Sequence, residues 1–174
     1  MSDRLGKDFF CRDVLEVCPD LIGKNIVRSF GGGRVERFTI TEVEAYQGTA
    51  DLACHASKGR TPRTEIMFHG GAHVYVYLIY GMYWMLNFVT GTEGEPQAAL
   101  VRGVVGCYGP GRVGRLLQLD KSFYGEGLTT SSRLWVEPSD NVIPIIKTAP
   151  RIGVGYAGEY WSNLPWRFYA KNQP

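Results

Sequence analysis

A chain of 174 residues, 44% of them hydrophobic, is long enough to bury one core and too short to require a second, so the expectation is a single domain over 1–174. A formal net charge of +2 excludes recognition of a polyanion by bulk charge, which leaves local clusters of cations as the only way to hold one. The 22 glycines and 9 prolines argue against a helical bundle and for short strands joined by turns.

In chain order, Val14, Val17, Cys18 and Leu21 recur at helical spacing between Asp13 and Ile22, with Gly23 as the stop and Pro19 as a candidate kink. Asn25–Ser29 and Val35–Ala45 are rich in β-branched residues and flank Gly31, Gly32 and Gly33, which reads as a hairpin whose glycines form a turn. A polar, basic stretch from His55 to Arg63 precedes an apolar block, Ala72–Val89, with Gly81 as its hairpin tip. That block is shorter than the roughly 20 apolar residues of a membrane helix and is interrupted by Gly81 and Asn87, so no membrane span is expected. A strand follows at Ala98–Val105. Gly109, Pro110 and Gly111 then open a short amphipathic helix with Val113, Leu116 and Leu117 as its buried stripe. Late strands are predicted at Leu134–Glu137, Ile143–Lys147 and Arg167–Ala170.

Strands joined by short turns predict an α+β fold: a curved antiparallel sheet, a partly open barrel, with a few packed helices and a protruding hairpin. Cys11, Cys18, Cys54 and Cys107 form no CxxC pair, and Ser2, Asp3 and Arg4 do not begin a secretory signal. The expectation is therefore reduced thiols in an intracellular protein of the cytoplasm or nucleoid, or of the nucleus in a eukaryote.

Several residues could carry chemistry. Strand alternation over residues 41–46 places Glu42, Glu44 and Tyr46 on one face and Val43 and Ala45 on the other. Two carboxylates roughly 6.5 to 7 Å apart repel, and burial would raise at least one toward general-base strength, although the hexapeptide alone reads more readily as a solvated strand face. Such a pair also has about the spacing of an inverting glycosidase. His55 stands as a candidate pocket wall. His69 and His73 have i, i+4 spacing, but Gly70 and Gly71 between them weaken a helix and no glutamate intervenes, so no metal site is assigned. Tyr75 and Tyr77 share a strand face, with core packing as the simpler reading for Tyr75 and Tyr83. Tyr80, beside the hairpin tip, would project as an aromatic wedge able to part base pairs. Lys58, Arg60, Thr61 and Arg63 are the mix that holds a phosphate backbone without reading sequence, and Arg112 and Arg115 form a second cationic patch. Gly109, Gly111 and Gly114 satisfy G-x-G-x-x-G, but Pro110 and the short helix behind it make a poor dinucleotide fingerprint.

Taken together, Thr-Glu-Val-Glu-Ala-Tyr (41–46), His55, Gly-Arg-Thr-Pro-Arg (59–63), Met67-Phe68, Tyr-Val-Tyr-Leu-Ile-Tyr-Gly-Met (75–82), Asn87 and Arg102 resemble the alkyladenine (3-methyladenine) DNA glycosylase family. The likeness extends over 5–28, 109–112, 121–123 and 151–159, nearly the whole chain. It implies a single mixed domain on a curved antiparallel sheet. It further implies Glu44 as general base, Arg102 as the group that helps to position the attacking water, and Tyr46, His55 and Tyr77 as walls of a base pocket. Tyr80 would be the intercalating wedge, and Asn87 the residue that crowds the exocyclic amino group of guanine.

The implied partner is double-stranded DNA containing a damaged purine, met by a monomer without metal or cofactor. No lysine is placed for Schiff-base chemistry, so a monofunctional enzyme that leaves an abasic site is expected. Two departures stand out: the Arg102–Gly109 connection is short, and Thr64-Glu65 replaces an Asn-containing, often basic pair. A non-catalytic nucleic-acid-binding barrel and a glycoside hydrolase using Glu42 and Glu44 are the competing readings.

Overall fold

The computed structural model describes residues 3–140 and 145–171. Its frame is an antiparallel sheet of nine strands that does not close into a barrel. Strand β1 (Asn25–Gly31) and β2 (Arg34–Tyr46) form the predicted hairpin around the glycine triplet, and β3 (Val74–Ile79) and β4 (Tyr83–Thr90) form the second around Gly81. They are joined by β5 (Gln97–Val104), β6 (Cys107–Tyr108), β7 (Leu134–Glu137), β8 (Ile146–Ala149) and β9 (Arg167–Ala170). The main order is β3-β4-β5-β2-β1-β7, with β6 beside β5 and β9 between β2 and β8.

The 13-residue β2 is the axis of the sheet. Its first half pairs with β1, and its second half lies between β5 and β9. Both edges of the Glu42–Tyr46 segment are therefore occupied where Glu42, Val43 and Glu44 pair with β9, which fixes which side chains face the core.

The faces separate cleanly. Val43 and Ala45 of β2, Val74 and Val76 of β3, Leu86 and Phe88 of β4, and Ala99 and Val101 of β5 join one apolar core. That core is covered by α2 (Val14–Leu21), through Val14, Val17, Cys18 and Leu21, and by α3 (Pro110–Leu116), through Val113 and the following Leu117. The opposite face carries Glu44, Tyr46, Tyr75, Tyr77, Asn87, Ala98, Leu100 and Arg102. Asp13 caps α2 by accepting from the Leu15 amide at 2.8 Å, and the helix ends two residues past Pro19.

Some elements differ from the sequence expectation. A one-turn helix, α1 (Lys7–Phe10), precedes α2, and α4 (Glu159–Asn163) precedes β9; both are too short to show a period. Leu116 is exposed, because seven residues of helix present only one turn to the sheet, and Val113, Gly114 and Leu117 take it. The strand predicted at 143–147 is shifted: β8 begins at Ile146, and Ile143 lies outside the described residues. Strand β5 ends at Val104, because Val105 and Gly106 form a two-residue turn into β6, so the short Arg102–Gly109 connection is a tight hairpin.

Two glycines of the G-x-G-x-x-G match, Gly111 and Gly114, serve packing. A Cβ on Gly114 would lie 1.8 Å from the Trp84 carbonyl oxygen, and one on Gly111 would lie 2.8 Å from the Tyr83 ring. Helix α3 thus approaches β4 as closely as bare backbone permits, in antiparallel rather than βαβ surroundings. All four cysteines are free. Among the described residues, no helix is long and apolar enough to cross a membrane, and no cluster of His, Cys, Asp and Glu could hold a metal. His69 faces Glu65 at 2.8 Å, and His73 meets the Gly70 carbonyl at 2.9 Å.

Candidate active site

Above the polar face of β2–β5 lies a cleft that narrows into a small inner chamber. Tyr46, His55, Tyr77 and Tyr156 border both chamber and cleft, and Tyr75, Asn87, Met67 and Ala98 also line the chamber. Four strands and the 3-10 turns His55–Lys58, Glu65–His69 and Gly155–Ala157 contribute these residues. Period-two alternation delivers every second side chain of each strand to the chamber.

Glu44 is buried at the cleft floor. Its Oε2 accepts from the Ile152 amide at 2.7 Å, and its Oε1 accepts from the Tyr46 hydroxyl at 3.0 Å and from Arg102 Nη1 at 3.4 Å. A carboxylate offers about four lone-pair sites, so three donors leave one for a water or a substrate hydrogen. Burial raises the Glu44 pKa above the ordinary carboxylate value, and Arg102, the Ile152 amide, Tyr46 and Arg151 oppose that rise. The result suits a base: ionisable, but held more basic than an exposed glutamate.

Arg102 is aimed by an irregularity in the sheet. Pairing of β2 with β5 slips between Ile40 and Glu42 and again between Glu42 and Val43, so Arg102 is the extra residue of a bulge on β5. Bulges of this kind re-aim a side chain beside a functional site. Its Nε donates to Glu42 Oε1 at 3.1 Å, and Arg167 Nη1 reaches the same oxygen at 3.3 Å. Glu42 does not border the cleft.

The aromatic walls are cross-braced. The His55 ring lies edge-on to Tyr77, with centroids 4.6 Å apart, and His55 Nδ1 meets the Tyr75 hydroxyl at 2.8 Å. Burial, with Arg63 and Lys58 nearby, lowers the His55 pKa to about 4 and keeps the ring neutral near pH 7. Burial likewise pushes the Tyr75 phenol up to about 12 and the Tyr46 phenol well above its usual value, so both remain hydroxyls. Asn87 Nδ2 donates to the Tyr75 carbonyl at 3.2 Å, which fixes the amide inside the chamber.

Tyr80 is 84% exposed at the hairpin tip, with φ of 53°. Among the proposed backbone-binding residues, Lys58, Thr61 and Arg63 border the groove outside His55, and Arg63 lies over the Tyr77 ring at 5.0 Å. Arg60 instead pairs with Glu65 at 2.7 Å, and the Thr61 hydroxyl meets that of Thr64 at 3.1 Å. Thr64-Glu65 thus organises this loop from within. Arg112 borders the cleft, and Arg115 sits over Tyr83 at 5.2 Å.

A second tier has no counterpart in the sequence reading. Asp51 and Arg151 form an ion pair with no exposed side-chain surface, at 2.6 and 3.0 Å. Arg151 also donates to the Ala45 carbonyl at 2.9 Å and lies over the Tyr46 ring at 4.9 Å. Asp51 accepts from the Gln47 and Ala53 amides, both at 3.0 Å. Tyr156 anchors its hydroxyl on the Ala53 carbonyl at 2.8 Å. The cue in the sequence was the glycine-spaced run 151–159, which carried the family likeness without indicating that its arginine turns inward.

The chain matches the family model for methylpurine-DNA glycosylase over residues 8–106 and 105–174. It is 43% identical to a protein of Methanocella arvoryzae, over 98% of this chain and 94% of the relative. It is 39% identical to one of Psychrobacter cryohalolentis, over 91% and 88%, and 40% identical to one of Legionella pneumophila strain Corby, over 98% and 96%. All three relatives are provisionally named 3-methyladenine DNA glycosylase.

Proposed function

The chain belongs to the methylpurine-DNA glycosylase family, and from that premise we propose that it excises alkylated or deaminated purines, of the 3-methyladenine, 7-methylguanine, hypoxanthine and ethenoadenine class, from duplex DNA. The damaged nucleotide is everted into the chamber, at a cost of a few kcal/mol that is smallest for a weakly paired base. Tyr80, carried on the exposed hairpin tip, fills the gap left in the stack. The base lies among Tyr46, Tyr77 and His55, whose π faces favour a purine made cationic by alkylation. Glu44 takes a proton from a water as that water attacks C1′, and its charge stabilises the oxocarbenium-like transition state. The C1′–N bond breaks, the free purine departs and an abasic site remains. Among the described residues no lysine lines chamber or cleft, which fits a monofunctional hydrolase. Neutral lesions need help at the leaving base, and cationic ones do not.

The observation that carries this reading is Glu44: a buried carboxylate held by Ile152, Tyr46 and Arg102 at the floor of an aromatic cleft. The glycoside-hydrolase alternative requires both carboxylates to face the substrate, and Glu42 faces Arg102 and Arg167 outside the cleft lining. Duplexes containing one methylated or deaminated purine test the proposal through free base and abasic sites. Glu44→Gln should lower turnover at least ~100-fold while sparing DNA binding. Unchanged turnover removes Glu44 as the base, and binding without base release by the parent protein indicates a non-catalytic module.

A further inference from the structure

Arg102 touches both Glu42 and Glu44 of β2, and its shorter contact is with the one that does not line the cleft: 3.1 Å from Nε to Glu42, against 3.4 Å from Nη1 to Glu44. Glu42 is itself shared, because Arg167 Nη1 approaches the same oxygen at 3.3 Å. The side chain of Glu42 is 12% exposed. Opposite it on β5 stands Gly103, where a Cβ would lie 3.4 Å from the Glu42 Cβ and 3.1 Å from the Thr41 hydroxyl. The bare backbone there and the neighbouring bulge bring the carboxylate and two guanidiniums together. A guanidinium is planar, so holding its Nε edge also sets the direction of its Nη atoms.

On the glycosylase reading above, we infer that Glu42 is a positioning residue: it anchors Arg102 by its Nε edge, presents Nη1 toward Glu44 and the cleft, and limits how much of the guanidinium charge Glu44 receives. An Arg102 without this anchor would close further on Glu44, tightening the present 3.4 Å contact. Glu44 would become a weaker base and Arg102 would lose its orientation toward a water. The chain Arg167–Glu42–Arg102–Glu44 alternates in charge, and each member tempers the next.

The other groups around Glu44 form no ion pair with Glu42, whose partners are Arg102 and Arg167. On β2 there is Tyr46, and on β3 Tyr77. The segment from 151 to 156 contributes Arg151 with its partner Asp51, the Ile152 amide and Tyr156. Cys18 of α2 faces it from the core side.

Glu42→Gln keeps size and an acceptor oxygen but removes the charge. In this variant kcat at neutral pH should fall ~10-fold with lesion-DNA affinity within ~2-fold, and the acid limb of the kcat profile should move to lower pH. Carboxyl-detected NMR of the free protein should show the Glu44 titration moving the same way. Arg167→Gln should move it to higher pH, because Glu42 then has Arg102 as its remaining partner. Opposite displacements in the two variants support the positioning role; an unmoved Glu44 titration in a folded Glu42→Gln protein, or displacements of the same sign, overturn it. Should Glu42→Gln fail to fold, the sign of the Arg167→Gln displacement decides. The NMR reading needs no substrate, so a parent protein without base release would defeat the glycosylase proposal while leaving the Glu42 result standing on its own.

Discussion

Replacing Asp51 with asparagine probes the ion pair beneath the site. Asp51 and Arg151 have no exposed side-chain surface, and the aspartate oxygens receive four donors: two Arg151 nitrogens and the Gln47 and Ala53 amides. Asparagine turns one oxygen into a donor that faces two of these donors, and it leaves the Arg151 charge buried without a counterion. Breaking a buried pair from one side costs about 3–5 kcal/mol. At ~2–4 °C per kcal/mol for a chain of this size, the melting temperature should fall by roughly 6–20 °C. Urea titration followed by circular dichroism measures the first quantity and a thermal melt the second. The loss should reach the chemistry as well, since Arg151 covers the Tyr46 ring and its neighbour Ile152 supplies the Glu44 amide bond. Single-turnover base release should therefore slow even at temperatures where the variant stays folded. A double variant, Asp51→Leu with Arg151→Met, should recover much of the stability but not the activity, because it removes the orphaned charge without restoring the scaffold. A stability loss below ~1 kcal/mol for Asp51→Asn would refute the reasoning, since it would mean that water or another group neutralises Arg151.

Tyr80→Gly should leave stability unchanged or raise it by up to ~1 kcal/mol, since an exposed tyrosine at φ of 53° gives way to a residue that favours this region. The same variant should excise poorly from duplex DNA and nearly normally from single strands; equal losses on both would remove the wedge role. His55 should titrate near pH 4 by NMR, so the chamber wall is uncharged throughout the neutral range. Its folded pKa lies below the unfolded value of 6.5, so stability is fully present above that value and declines as pH falls from 6.5 through about 4. A midpoint near 6.5 would show a solvated ring and an open chamber.

Much of this molecule was legible before any coordinates. Alternation over 41–46 placed Glu44 and Tyr46 opposite Val43 and Ala45, and the sheet keeps that division. The glycine triplet and Gly81 located both hairpin turns, because few other residues tolerate a positive φ there. Less legible were α1 and α4, which complete barely one turn, and the exposure of Leu116, which depends on how far α3 overlaps the sheet.

Period, turn chemistry and residue type are local, and they determined the strand faces, the hairpins and candidates such as Glu44, His55 and Tyr80, whereas Asn87 and Arg102 were named by the family resemblance alone. Partnership is not local. That Asp51 would meet Arg151 across 100 positions, that residue 152 would offer its amide to Glu44 across 108, and that Arg102 would be shared with Glu42 all depend on which strands become neighbours. A carboxylate becomes a strong or a weak base through the charges and dipoles within a few ångströms, and only the folded chain brings those together.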